Sequence, residues 1–495
     1  MSAKKPPLLR FHWRLILPVV GGAALALGLG MLVCAGLALG YGDGSALALA
    51  IPGVGSILLG GGGLYAGRHL DELPLRSRDG FLAVTLTWVV GAAVSSLPFI
   101  FHGMLPSFTD AYFEAMSGFT TTGSTMLDVI DGQPEGLMMW RQMTQWLGGI
   151  GIVVLVVAIA PATGLASQRM FYAETSGVTA DRLTPKIADT AKILWAVYVG
   201  LSVAAVIAFL AAGMGLYDAV AHMFTTLATG GFSPKGGSIA DFDSLAVEIA
   251  VIVFMALSGI NFAFYWKAVT GKGLFPQFAE VRVYLSILAV ATLVVATSLV
   301  VSDHVNSIGQ GLRESAFTVT SLMTTTGYTT ADYDVWNDFV RLGLIILMFV
   351  GACAGSTTGG MKVIRVVLLA KSAAQEVRRQ LQPARVSILR LGGKTFGDGV
   401  REGLLGFFFI YVMVFIVATM LLLALGLDMI SAFSAVAATL NVIGPGLEQV
   451  GASESFQAVP DAGKWVLSAC MLIGRLEVFT VIALLAPSFW RRRGA

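Results

Sequence analysis

Four stretches decide how this chain folds: DAYFEAMSGFTTTG at Asp110–Gly123, DAVAHMFTTLATGG at Asp218–Gly231, ESAFTVTSLMTTTG at Glu314–Gly327 and SAFSAVAATLNVIG at Ser431–Gly444. Each places an acid or a serine thirteen positions before a glycine. The interval reads as a short amphipathic helix followed by an extended Thr/Gly-rich piece. Asp, Glu or Ser at the leading position reads as a helix cap, Glu314 being the weakest of the four. A single stretch of this kind would mean little, but four with one spacing are an internal repeat.

Outside these stretches the chain is strongly apolar. Of 495 residues, 56% are hydrophobic and 13% charged, with a mean hydropathy of +0.78; a soluble domain does not need that much apolar surface. Ten segments are long and apolar enough for membrane helices: 14–39, 46–67, 80–101, 137–160, 192–213, 245–268, 282–301, 339–370, 402–425 and 464–487. The first, Leu15 to Leu39, follows Lys4, Lys5, Arg10 and Arg14 but is too long for a signal-peptide core, so a retained helix is expected. The fold class is therefore all-α integral membrane. The expected divisions are an N-terminal helix pair (1–75) and four helix–re-entrant loop–helix repeats (76–190, 191–275, 276–395 and 396–495), the third with a broken inner helix.

Charge placement orients the chain. An even number of spans puts both termini on one side. If that side is the cytoplasm, 26 of the 32 Lys and Arg residues face it, including Arg76, Arg78, Arg169 to Lys192, Lys371 to Arg401 and Arg491 to Arg493. Arg141, Lys235, Arg313, Arg341 and Lys464 fall outside or near the outer boundary, in keeping with the positive-inside rule. Asp110, Asp128, Asp131, Asp218, Asp241, Asp243, Asp303, Asp332, Asp334 and Asp338 fall on the outer side, where they either concentrate cations or simply keep loops soluble. The net charge of +2 and the lack of basic–aromatic interleaving exclude a nucleic-acid partner. Five scattered His residues, without HExxH or G-x-S-x-G, argue against a membrane enzyme. Cys34, Cys353 and Cys470 lack ligand spacing and read as packing residues.

Irregular backbone at membrane depth is tolerated only against protein or a water-filled cavity. Four parallel repeats about an axis along the membrane normal would enclose such a path. Short helices ending at that axis would direct partial negative charge at a cation. The extended pieces are Thr121-Thr122-Gly123-Ser124, Thr229-Gly230-Gly231-Phe232, Thr325-Thr326-Gly327-Tyr328 and Val442-Ile443-Gly444. The third is close to the TVGYG filter, whose carbonyls replace an ion's hydration shell.

These residues resemble the Trk/Ktr/HKT superfamily of potassium transporters, most closely its bacterial TrkH branch. The likeness spans the chain through SGFTTTGST at Ser117–Thr125, WRQMTQWLGGIGIVVL at Trp140–Leu155, TGGFSPKGG at Thr229–Gly237, GACAGSTTGGMKVIR at Gly351–Arg365, NVIGPG at Asn441–Gly446 and GRLEVFT at Gly474–Thr480. The two helices before residue 70 are similar to the extra pair of the Trk type. The resemblance implies potassium (K+) uptake across the bacterial inner membrane, with K+ held in the filter and no organic cofactor. It further implies a homodimer with one pore per subunit and regulation by a cytoplasmic ring of RCK-type, TrkA-like nucleotide-binding subunits. Gly123 stands where serine accompanies sodium preference in the plant branch. Val442 and Ile443 depart from the Thr pattern, which implies a less strict fourth side. The alternative within transport is a symporter coupled to protons or sodium, although only Arg475 and Glu477 read as deep ionisable residues.

Gly351, Gly355, Ser356, Thr357, Thr358, Gly359 and Gly360 interrupt the segment 339–370 more than helix packing needs, so a loop is expected there. By resemblance this loop is an intramembrane gate, with Arg475 opposite it as an electrostatic barrier. Arg475 and Glu477, two apart on a helix, point to different faces. Lys362 and Arg365 are expected to anchor the inner end at the headgroups, with coupling to the ring as the alternative. Arg141, Gln142 and Gln145 are expected to hold the first filter by hydrogen bonds. The basic loop Lys371–Arg401 fits simple orientation charge, anionic lipid or docking of the ring equally.

Overall fold

The computed structural model describes residues 13–67, 77–159, 187–271, 275–382, 389–392 and 394–490. Arg76, most of the basic stretch Arg169 to Lys192, Arg491 to Arg493 and part of Lys371 to Arg401 lie outside the described residues. Six described helices are long and apolar enough to cross a membrane: Ile16–Tyr41, Ala46–Ala66, Arg78–His102, Lys192–Ala211, Phe278–Val301 and Gly399–Ala424. The helix Glu135–Ile159 covers another expected segment.

Three expected segments are broken. Asp338–Met348 and Val363–Leu381 flank a non-helical stretch, where the Gly/Ser/Thr run foretells it. The other two breaks correct the continuous reading. Leu245–Ser258 and Phe262–Thr270 meet at 88°; the first helix ends with Gly259 N–H on the Met255 carbonyl, and the Asn261 side chain caps the second by accepting the Ala263 N–H at 2.8 Å. Asp461–Arg475 and Glu477–Leu485 meet at Leu476, with Glu477 in the left-handed region at φ 56°. A two-stranded antiparallel hairpin, Leu389–Leu391 with Lys394–Phe396, also departs from the all-α reading.

The first two helices are held by small residues. A Cβ at Gly28 would lie 2.6 Å from the Gly53 carbonyl, and one at Gly60 would lie 2.6 Å from that of Gly21. Such close backbone approach is how helices associate where lipid is as apolar as leucine. This pair packs on Ser77–His102 and Glu135–Ile159. Cys34, Cys353 and Cys470 are free and buried, as packing residues should be.

Four short helices carry the repeat: Phe108–Phe119, Leu216–Ala228, Ile308–Met323 and Met429–Leu440. Their caps correct the sequence reading, because the N-cap residues are Ser107, Gly215, Ser307 and Asp428. Asp110, Asp218 and Ser431 instead occupy the third helical position, and Glu314 lies well inside its helix. An acid in the first turn is favoured by the helix dipole as well as by capping, so composition alone does not separate the two roles. Asp428 accepts the Ile430 and Ser431 N–H groups at 2.9 Å each. Hydrogen bonds from Ser431, first from its side chain, hold that carboxyl below its ordinary range.

Candidate functional site

All four short helices end alike. The N–H groups of Thr122, Gly230, Thr326 and Ile443 reach back to the carbonyls of Ser117, Thr225, Ser321 and Ala438, each at 2.8 Å. The residue before each of them, Thr121, Thr229, Thr325 or Val442, has φ between 55° and 61°. This is the Schellman ending, with a left-handed residue where glycine is usual. Four β-branched residues hold it here, each at a cost of order 1–3 kcal/mol, and strain of that kind is kept at functional sites.

Two residues further on, Gly123, Gly231, Gly327 and Gly444 return to positive φ at 91°, 76°, 80° and 105°. A Cβ on Gly123 would overlap the Gly230 carbonyl oxygen, one on Gly231 that of Thr326, and one on Gly327 that of Ile443. A Cβ on Gly444 would stand 2.9 Å from that of Thr122. The four segments therefore touch in cyclic order, the fourth closing on the first, and no side chain fits between them. Thr121, Thr122, Ser124, Thr229, Phe232, Thr325, Thr326, Tyr328, Val442 and Ile443 are all buried, while Gly123, Gly231 and Gly327 keep partial exposure.

Side chains brace the backs of the segments. Ser124 Oγ donates to the Gly444 carbonyl at 2.9 Å. Tyr328 Oη meets Thr226 Oγ1 at 3.1 Å and also Thr225 Oγ1, tying the third segment to the second short helix. On the outer turn Tyr333–Val335, Tyr333 Oη donates to the Gly446 carbonyl at 3.3 Å and Asp334 accepts the Glu448 N–H at 3.2 Å. Burial pushes the Asp334 carboxyl up to about 6.

Arg141 links the first short helix to the residues after the second segment, and Gln145 serves the second segment rather than the first. Arg141 Nε bonds Glu114 at 2.6 Å and its Nη1 donates to the Ser233 carbonyl at 3.1 Å. Glu114 also accepts the Met126 N–H at 2.6 Å. Gln145 reaches the second segment, and among the described residues the buried Gln142 amide has no hydrogen-bond partner. Removing one member of a buried ion pair costs about 3–5 kcal/mol. Glu114→Ala is therefore expected to lower the melting temperature of the purified protein by several degrees, read by a thermal-shift assay in detergent; an unchanged melting temperature would contradict the pairing.

The stretch between Met348 and Val363 lies against these segments. Gly351 N–H meets the Met361 carbonyl at 2.9 Å, and Cys353 N–H meets that of Gly259 at 3.0 Å. The Phe262 N–H donates to the Gly355 carbonyl at 3.1 Å, docking the stretch on the kink between Ser258 and Phe262. Thr357 Oγ1 donates to the Leu227 carbonyl at 2.9 Å, and Gly359 N–H to Thr325 Oγ1 at 2.7 Å. Ser356 and Thr358 share a hydroxyl bond at 2.8 Å, and Gly360 has φ 65°. Arg475, buried, donates to the carbonyls of Thr357 at 2.7 Å and Gly148 at 3.1 Å.

Three expectations about charge change. Lys362 and Arg365 are buried rather than set at headgroups: Lys362 Nζ bonds Thr358 Oγ1 at 3.1 Å, and Arg365 pairs with Glu477 at 2.5 Å. Arg475 and Glu477 are not partners of one another, but they stand on two helices divided at Leu476 rather than on two faces of one. Deep ionisable residues are also more numerous than Arg475 and Glu477, because Glu114, Lys362 and Glu280 are buried too. Glu280, which sequence reasoning passes over because it precedes the apolar run, accepts the Ala354 N–H at 2.7 Å.

Four Thr/Gly segments thus pack in cyclic order among helices long and apolar enough to cross a membrane. A profile of the TrkH family, described as a cation transport protein, matches residues 48–492, and the chain belongs to that family. It is 42% identical over 430 residues to the Trk system potassium uptake protein TrkH of Vibrio parahaemolyticus, covering 86% of this chain and 88% of that one. It is 39% identical over 484 residues to the protein of the same name from Escherichia coli K12, covering 97% of this chain and 100% of the other. The crystal structure of the potassium transporter TrkH from Vibrio parahaemolyticus superposes with a TM-score of 0.86 at 38% identity, covering 97% of this chain and 100% of that one.

Proposed function

We infer that this chain takes up potassium through a gated pore lined by the four Thr/Gly segments. The observation that carries the reading is the cyclic contact of Gly123, Gly231, Gly327 and Gly444 with the preceding carbonyls of their neighbours. Oxygens donated from four sides suit a dehydrated alkali cation, and the C-terminal ends of four short helices add negative potential. The driving force is the membrane potential, worth about 2.3 kcal/mol per charge per 100 mV. In this reading the chain has four helix–pore-loop–helix repeats beyond an N-terminal helix pair, with divisions near residues 75, 190, 275 and 395. It sits in the bacterial inner membrane with both termini in the cytoplasm.

The stretch from Gly351 to Gly360 acts as the gate, with Arg475 the cation that holds it. Its four-way hydrogen bonding to Gly259, Phe262, Leu227 and Thr325 supports a part that closes the path from below. A homodimer and an RCK-type, TrkA-like ring complete the proposed assembly; the names of the relatives, as Trk system uptake proteins, support a multi-component system. The test is uptake into proteoliposomes under an inside-negative potential. Rubidium should enter, potassium should compete with it, and sodium should compete at least about tenfold less well. Equal competition by sodium, or no uptake at all, would refute the reading.

A further inference from the structure

The four segments are alike in backbone but not in what stands behind them. In the first, Thr120 and Thr122 share a hydroxyl hydrogen bond at 2.7 Å. In the third, Thr324 and Thr326 repeat it at 2.8 Å. These straps tie the end of the short helix to the residue whose carbonyl faces the neighbouring glycine. The fourth segment has Asn441 and Ile443 at the same two places, and Asn441 is held by the Tyr411 hydroxyl at 2.5 Å and bonds back to the Ala437 carbonyl at 2.8 Å. The second segment has Ala228 and Gly230, and no hydroxyl at either place.

What fills that gap comes from another repeat. Gln145, fully buried on the helix Glu135–Ile159, donates from Nε2 to the Gly230 carbonyl at 2.7 Å and accepts the Phe232 N–H on Oε1 at 3.2 Å. Both ends of the amide are used, and only this orientation satisfies both. A Cβ on Gly230 would overlap the Gln145 amide. Thus Gly230, unlike Gly231, is a glycine because a side chain from the first repeat occupies its Cβ space. Its φ is not positive.

We propose that Gln145 is a specificity-determining positioning residue that acts across repeats, replacing the second segment's missing threonine strap and fixing the Gly230 carbonyl at the ion path. The inference rests on the reading of the four segments as an ion filter. Losing the strap leaves the path open but lets the second segment relax. The closer fit needed for the larger, more easily dehydrated cation then suffers before conduction does.

The test uses the full-length protein in proteoliposomes, with rubidium and sodium uptake measured under the same potential. Gln145→Met keeps the volume but removes the bonds, and Gln145→Ala removes both. Each is expected to keep rubidium uptake while lowering the rubidium-to-sodium ratio by about tenfold, the worth of one ordinary hydrogen bond. The triple variant Gln145→Ala, Ala228→Thr, Gly230→Thr rebuilds the strap of the first and third segments and is expected to recover most of the ratio. An unchanged ratio in Gln145→Met and Gln145→Ala would overturn the proposal. So would a triple variant that stays as unselective as Gln145→Ala, or loss of uptake of both ions in all three. The filter reading fails separately, if the unsubstituted protein passes both ions alike or if Gly327→Ser leaves rubidium uptake unchanged.

Discussion

Gly327→Ser is expected to cut rubidium uptake in proteoliposomes by about a hundredfold or more, with the protein still folded. Gly327 has φ 80°, a conformation that costs an L side chain about 1–2 kcal/mol. The larger effect is steric. Its Cβ would overlap the Ile443 carbonyl oxygen and lie 2.9 Å from Pro445 Cδ. The obstacle is backbone of the neighbouring segment, which cannot swing aside as a long side chain can. The Ile443 carbonyl must therefore leave its place, and with it one side of the proposed coordination cage. Gly343→Ser is the matched control: a Cβ there meets nothing within 4 Å, and uptake should stay within about twofold of the unsubstituted protein. Equal uptake by the two variants would contradict the role given to Gly327.

Arg475→Ala is expected to raise basal uptake by about tenfold. The guanidinium ties the glycine-rich stretch at Thr357 to the helix Glu135–Ile159 at Gly148. Hydrogen bonds to a charged group contribute about 1.5–3 kcal/mol each, so losing both favours release of the stretch. In the proposed pore, removing a buried positive charge also removes repulsion against a cation passing beneath the segments. The two effects act in one direction. Arg475→Lys keeps the charge but cannot reach both carbonyls with a planar fork, so its uptake should fall between the other two. Lower uptake in a folded Arg475→Ala protein would contradict the barrier.

Much of this arrangement is legible from the sequence because four glycines thirteen residues after a polar residue are an internal comparison that needs no relative. The broken helix at 349–362 is equally plain, since seven Gly, Ser and Thr residues within ten cannot face lipid as a helix. The break at Gly259–Asn261 is not, because a single glycine followed by Ile-Asn inside an apolar run resembles a tolerated helix glycine until its capping bond is seen. The left-handed Thr121, Thr229, Thr325 and Val442 are hidden for a stronger reason: β-branched residues avoid that region, so nothing in their identity announces it. Arg365 reads as a headgroup anchor because its partner, Glu477, lies 112 residues away in the chain. Gln145 likewise follows the first segment in sequence but serves the second in space, a relation that only the folded backbone supplies.

The most direct measurement is anomalous diffraction from crystals of this protein grown in rubidium. A peak is expected on the axis enclosed by the carbonyls of Thr122, Gly230, Thr326 and Ile443, and it should disappear when rubidium is exchanged for sodium. Four ordered segments with no peak between them would contradict the assignment of their carbonyls to a cation.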